Sequence, residues 1–234
     1  MEKKKINWGD TNPSAIGFIE NEIFNLKCYE SIFPVKKGDV VLDIGASIGP
    51  FTWDVMDRAS KVYAVEPVKD QIKILKENTE GFNVKVFENV IGCKNGKLQF
   101  SDTCLIGTYG EEWVDPNKLD PSLNLVDSLT FGSLLKSIPD KIDFIKTDCE
   151  GGEYYIFRDE YMPFLKNQVR TIVGEFHLET PQQKIEFRYF RDKYLPQFKN
   201  VEVRSLDNID IKWDLWNEHF IEYYNQVIIH INNE

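Results

Sequence analysis

Val40-Val41-Leu42-Asp43-Ile44-Gly45-Ala46-Ser47-Ile48-Gly49, running on into Pro50-Phe51-Thr52, decides how the rest of the chain is read. An apolar run ending in an acid, then two glycines, then residues able to open a helix predicts a buried parallel strand, a tight turn and a helix N-terminus. Glycine at such a turn lets the backbone pass close to a ligand, because no Cβ stands in the way. Val62-Tyr63-Ala64-Val65-Glu66-Pro67 repeats the strand pattern and again ends in an acid. Glu66 falls about twenty residues beyond Gly45, where an acid at the tip of the second strand binds ribose hydroxyls in doubly wound nucleotide sites. The pair predicts a nucleoside-bearing ligand at this edge of the sheet.

Outward from these two blocks the pattern alternates: strand 40–45, helix 49–59, strand 61–66, helix 69–79, strand 83–91. Alternation of this kind implies right-handed crossovers and a parallel sheet with helices on both faces. Upstream, residues 1–14 are polar and read as the start of an arm, and Ile16, Ile19, Ile23, Leu26 and Ile32 are helix-spaced before Pro34. Downstream, Lys94-Asn95-Gly96-Lys97 reads as a turn and 97–101 as a strand returning beside its predecessor. Residues 102–121, with Tyr109 and Trp113, read as a lid-like loop. Strand 123–129, helix 133–137, strand 141–148, helix 152–166, strand 169–176, helix 181–194, strand 200–205, helix 214–224 and a last strand at 226–231 complete the reading. With no internal repeat or linker, the expectation is an N-terminal arm and helix over 1–37 and a single domain over 38–234.

The 234 residues carry 28 Lys+Arg against 38 Asp+Glu, a net charge of −10. That balance argues against a nucleic-acid partner, which is held by neutralising phosphates with cations. The four cysteines include no C-x-x-C pair, so neither a metal cluster nor a disulfide framework is expected. The basic start lacks the apolar region of a signal peptide, and no run approaches the roughly 18 apolar residues of a membrane span. These features predict a soluble, cytoplasmic protein without a membrane partner.

Polar residues gather where the parallel strands end: Asp43, Glu66, Asn89, Asp148, Glu150, Glu175 and His177. Three readings of the glycine turn compete. A dinucleotide site wants G-x-G-x-x-G to seat a pyrophosphate, whereas this turn is G-x-x-x-G with a repelling carboxylate, Asp43, just before it. A hydrolase elbow fits G-x-S-x-G and even the order Ser47, Asp148, His177. It lacks an H-G-G-G oxyanion segment and leaves Glu66 without a role. The third is a cationic, phosphate-free nucleoside, S-adenosylmethionine. Asp43 would face its amino-acid or sulfonium end, the backbone of Gly45, Ala46, Ser47 and Gly49 its methionine part, and Glu66 with Pro67 its ribose. Asn89 and Val90 would flank the adenine.

On these blocks, together with Ile145-Lys146-Thr147-Asp148-Cys149-Glu150-Gly151-Gly152-Glu153 and Glu175-Phe176-His177, the chain resembles the FkbM-type family of S-adenosylmethionine-dependent methyltransferases. Ser47 stands where that family usually has Asn, and Cys149 where it usually has an aliphatic residue. The resemblance implies the class I methyltransferase fold: α/β, Rossmann-like, a mostly parallel seven-stranded sheet with an antiparallel last strand, helices on both faces and an N-terminal helical extension. It also implies O-methylation of a sugar, glycan or natural-product hydroxyl, and hence a small-molecule or glycan acceptor. A non-catalytic, cofactor-binding regulator is the alternative.

Methyl transfer by in-line displacement leans on positioning a hydroxyl and removing its proton. Asp148, beside the expected methyl position, and His177 are the candidate bases, His177 by its ordinary titration near neutral pH. Lys146 is expected to pair structurally with Glu150 or Glu153. Asp148, Glu175 and His177 are also of types that hold a divalent metal, although no metal is expected. Trp8, Tyr109 and Trp113 are candidates for stacking on a sugar but are expected to serve packing.

Overall fold

The computed structural model describes residues 3–100 and 124–234. The lid-like loop expected over 102–121, with Tyr109 and Trp113, lies outside the described residues. Seven strands form the main sheet: β1 (Val40–Ile44), β2 (Lys61–Val65), β3 (Val84–Phe87), β7 (Phe144–Thr147), β8 (Thr171–His177), β9 (Asn200–Arg204) and β10 (Gln226–Asn232). Their order is β3-β2-β1-β7-β8-β10-β9, with β10 antiparallel to both its neighbours, as the resemblance implies.

Alternation along the strands divides the core between two faces. Leu42, Ile44, Tyr63, Val65, Ile145 and Ile172 join one apolar cluster. Val41, Val62, Phe144, Val173 and Ile228 join another, which the N-terminal segment completes with Ile23, Cys28, Tyr29 and Val35. The segment from Ile23 to Val35 therefore shares a core with the sheet. The polar start is also tied down: Lys3 donates to Asp54 O at 2.8 Å and Asn7 N–H to Asn78 Oδ1 at 2.7 Å. Trp8 packs edge-on against Phe24.

Several elements differ from expectation. The strand expected at 83–91 breaks at Glu88, and its second half, β4 (Asn89–Ile91), enters a separate three-stranded sheet. There β5 (Gly96–Phe100) does not return beside β4; β6 (Asn124–Leu129) lies between them. The helix expected at 152–166 is a 3₁₀ turn at Gly152–Tyr155 followed by α5 (Met162–Asn167; helices are numbered in chain order). Pro163 is tolerated only in a first helical turn, so it starts a new helix rather than continuing the old one. Upstream of α5 are α1 (Pro13–Glu20), α2 (Pro50–Val55), α3 (Lys69–Asn78) and α4 (Phe131–Lys136). After it come α6 (Pro181–Tyr189) and α7 (Glu218–Tyr223).

Candidate active site

From β1 the sheet order runs to β2 on one side, and from β7 to β8 on the other. The crevice outside the carboxyl ends of such a switch point is where open α/β sheets bind ligands. Alternation places Asp43, Lys146, Asp148, Glu175 and His177 on the sheet face that the N-terminal segment covers, and register sets Asp43 beside Lys146.

Gly45 (φ +76°), Ser47 (φ +53°) and Gly49 (φ +92°) shape the turn after β1. A Cβ on Gly45 would stand 1.7 Å from the Asp148 carbonyl oxygen, so the close approach glycine permits here is that of the β7 backbone. The Ser47 N–H donates to Glu66 Oε2 at 2.8 Å and the Val68 N–H to Oε1 at 2.9 Å. These bonds fix the β2 acid against the turn, with Pro67 between its two anchors. Burial pushes the Glu66 carboxyl up to about 7, more than the two N–H donors and Lys146 offset. Ala46 is buried inside the turn. Asn89 and Val90 sit just past the end of β3 but belong to the second sheet, where Asn89 Nδ2 donates to Asp127 O at 3.3 Å.

Asp43, expected to face the ligand, is fully buried. Its Oδ2 accepts from the Thr52 hydroxyl at 2.6 Å; its Oδ1 lies 3.5 Å from Lys146 Nζ and has no hydrogen-bond partner. Lys146 donates to Gly45 O at 2.9 Å and lies 3.5 Å from Asp148 Oδ2. The expected pairing of Lys146 with Glu150 or Glu153 is thus corrected: alternation turns Lys146 toward Asp43 and Asp148. Burial works against its charge, yet Asp148 and then Asp43 hold the ammonium more firmly protonated than usual.

Glu150 and Glu153 serve His177 instead. Its Nδ1 lies 2.9 Å from Oε1 of the fully buried Glu153, and its Nε2 3.3 Å from Glu150 Oε2 and 3.6 Å from Glu175 Oε1. Burial disfavours the charged ring, but Glu153 first and then Asp148 outweigh it and raise its pKa well above the usual value. The imidazole is thus fixed by Glu153 at Nδ1, with Nε2 facing Glu150.

Sequence reasoning missed Tyr29 and Glu22. The Tyr29 hydroxyl lies 2.8 Å from Glu22 Oε1, 3.0 Å from Glu175 Oε2 and 3.2 Å from Asp148 Oδ2. No pattern in the sequence marks them: Glu22 lies on the π-helical turn Asn21–Asn25 and Tyr29 beyond the chain reversal at Lys27 (φ +52°). Asp148, Glu175 and His177 do bring ligand-type atoms within 4.8 Å of one another. The contacts just described already occupy Asp148 Oδ2, Glu175 Oε2 and both nitrogens of His177.

A reversed final strand in this order, with a glycine turn, an acid at the tip of β2 and another after β7, defines a class I methyltransferase domain. The methyltransferase FkbM domain matches residues 43–208, and the chain belongs to that family of S-adenosylmethionine-dependent enzymes. It is 31% identical over 81 residues to a probable cobalt-precorrin-6B C(15)-methyltransferase (decarboxylating) of Methanocaldococcus jannaschii, covering 33% of this chain and 44% of that one. It is 41% identical over 54 residues to a probable ribosomal RNA small subunit methyltransferase A of Pyrococcus furiosus, covering 23% and 20%. The chain thus spans less than half the length of these curated relatives. The solved structure of a fibrillarin/Nop5p complex shares the fold at a TM-score of 0.53 and 14% identity, covering 92% of this chain and 82% of that one.

The exclusion of nucleic acid drawn from net charge is corrected here. A relative matching 54 residues is named for ribosomal RNA, so an acidic total does not decide the acceptor class. Among the described residues, no helix is long and apolar enough to cross a membrane.

The residues fit the family's cofactor. Asp43 Oδ1 is an orphaned buried acceptor, Glu66 keeps lone pairs beyond its two N–H bonds, and carboxylates flank the turn where a phosphate would be repelled.

Proposed function

We propose that this protein transfers a methyl group from S-adenosylmethionine to an acceptor hydroxyl, with Asp148 taking the hydroxyl's proton. The observation that carries this reading is the exposure of Asp148. Its side chain is 30% exposed, while Glu175, Lys146 and Asp43, with which it forms a cluster, are 8%, 4% and 0% exposed. It is the carboxylate of that cluster that an entering hydroxyl can touch, and its own backbone packs on the glycine turn. The cofactor supplies an electrophilic methyl. Glu66 holds the ribose hydroxyls, and Asp148 orients the acceptor oxygen and receives its proton. A hydroxyl of a sugar, glycan or natural product is the acceptor this reading favours. The free thiols of Cys28 and Cys149 accord with a reducing, cytoplasmic setting.

The test is a labelled-methyl assay against free sugars, glycans, polyketide-like alcohols and RNA. Label is expected on oxygen, stable to the treatments that remove methyl esters. Label only on carbon or nitrogen sinks the reading.

Glu66 makes a separate prediction. The ribose diol donates to the carboxylate, so the ionised form is the binding form. Affinity for S-adenosylhomocysteine, measured by titration calorimetry, is expected to rise as pH rises through about 7. Glu66→Gln is expected to weaken binding by about 1–3 kcal/mol at pH 8 and to abolish the pH dependence. Equal affinity at pH 6 and 8 in the parent protein removes the ribose assignment.

A further inference from the structure

Three carboxyl groups crowd one phenol oxygen. Glu22 comes from the π-helical turn Asn21–Asn25, Asp148 from the end of β7, and Glu175 from β8. Each lies 2.8–3.2 Å from the Tyr29 hydroxyl oxygen. A contact that close is a hydrogen bond and needs its own proton. A tyrosine hydroxyl donates one and accepts through its lone pairs. Three contacts therefore require three protons, of which Tyr29 supplies one. The other two must sit on carboxyl groups.

Burial decides which. Glu22 is 8% and Glu175 6% exposed, and burying an unpaired carboxylate costs far more than protonating it. Burial first, and then the neighbouring Asp148, raises the pKa of both. Asp148 is the most open of the three and lies beside Lys146. It therefore keeps its charge and accepts the Tyr29 O–H, while Glu22 and Glu175 donate to the Tyr29 oxygen.

The groups around this set are consistent with it. Cys28 is pushed up to about 12, first by burial, and stays a thiol. Lys146 lies 5.2 Å above the centre of the Tyr29 ring. On the far side, His177 is held by Glu153 and Glu150, and its Nε2 faces the other oxygen of Glu175. Asp43 faces Lys146 rather than Tyr29.

We infer that Tyr29 is a positioning residue for the methyl-transfer base: two buried, protonated glutamates, Glu22 and Glu175, hold its oxygen so that its single proton points at Asp148. This rests on the reading of Asp148 as the base. In the step, the acceptor O–H bond breaks and its proton passes to Asp148. The acceptor oxygen forms a bond to the methyl carbon, and the S–CH₃ electron pair returns to sulfur. A donated hydrogen bond favours the charged form of a carboxylate, so the Tyr29 proton holds Asp148 ready to accept.

The experiment has two arms. In the first, kcat/KM is measured against pH for Tyr29→Phe. The acid limb is expected to move to higher pH by about one unit, a roughly tenfold loss at low pH that largely recovers on the alkaline side. In the second, infrared difference spectra compare the parent with Glu22→Gln at pH 7. The carbonyl stretch of a protonated carboxyl group is expected to vanish in the variant. The infrared arm needs no turnover, so it reads the proton count even if Asp148 proves not to be the base. A Tyr29→Phe profile scaled down equally at every pH, or no protonated-carboxyl band lost in Glu22→Gln, overturns the proposal.

Discussion

Replacing Lys146 with methionine is expected to destabilise the protein by about 3–5 kcal/mol, the usual result of stranding a buried charge. The ammonium is 3% exposed and serves three groups at once: Gly45 O, Asp43 and Asp148. Asp43 is the decisive one. It is fully buried, its Oδ1 has no hydrogen-bond partner, and Lys146 is the cation that faces it. Methionine fills much the same volume, so the loss is electrostatic rather than a cavity. The pH dependence separates the two. Without the cation, the buried carboxyl groups hold protons more tightly in the folded than in the unfolded state. The folded state then binds more protons, and stability falls as pH rises. The deficit of Lys146→Met relative to the parent should therefore be smaller at pH 5 than at pH 8. Urea unfolding at the two pH values measures it, and an equal deficit at both would mean that packing, not charge, is what Lys146 supplies.

The sheet and the glycine turn at its edge were legible because they are written in short blocks. Val40–Gly49 and Val62–Pro67 each carry strand, terminus and acid within about ten residues, and the alternation around them sets strand direction. The reversal at β10 was legible only through the resemblance, since periodicity does not give strand direction. The acid–base centre was less legible, because its members come from four separate segments. Nothing near Lys146 in sequence says that it pairs with Asp43 rather than Glu150. That follows only when register sets β1 beside β7. His177 reads as a base in sequence because a free imidazole titrates near neutral pH, but nothing near it in sequence shows that Glu153 and Glu150 close around it. Tyr29 lies more than a hundred residues from Asp148 and Glu175, and only the packing of the N-terminal segment on the sheet brings it to them. The break at Glu88 and the restart at Pro163 were missed for a different reason. A long apolar pattern was taken as one element, although a proline inside it could only begin a new one.

Asp148→Asn is expected to lower kcat by about 10²–10⁴-fold, the range for removing a positioned general base, or about 3–5 kcal/mol of transition-state stabilisation. The amide keeps the shape of the side chain and can still accept the Tyr29 hydroxyl, so the turn at Gly45, which touches the Asp148 backbone, is undisturbed. What it cannot do is take a proton. The proton of the acceptor hydroxyl must then pass to water, and the loss should shrink with acceptors whose hydroxyl is intrinsically more acidic. A phenolic acceptor should therefore suffer less than an alcoholic one in the variant, while the parent shows a weaker preference. Binding of S-adenosylhomocysteine should persist, because its thioether sulfur is neutral, whereas the sulfonium of S-adenosylmethionine loses a nearby negative charge and should bind more weakly. The corresponding change at the other strand end, His177→Gln, should act chiefly on stability, since it strands the buried Glu153, and should leave the acid limb of the pH profile where it is. Equal loss of kcat for phenolic and alcoholic acceptors in Asp148→Asn, or an acid limb that moves only in His177→Gln, would shift the base from β7 to β8.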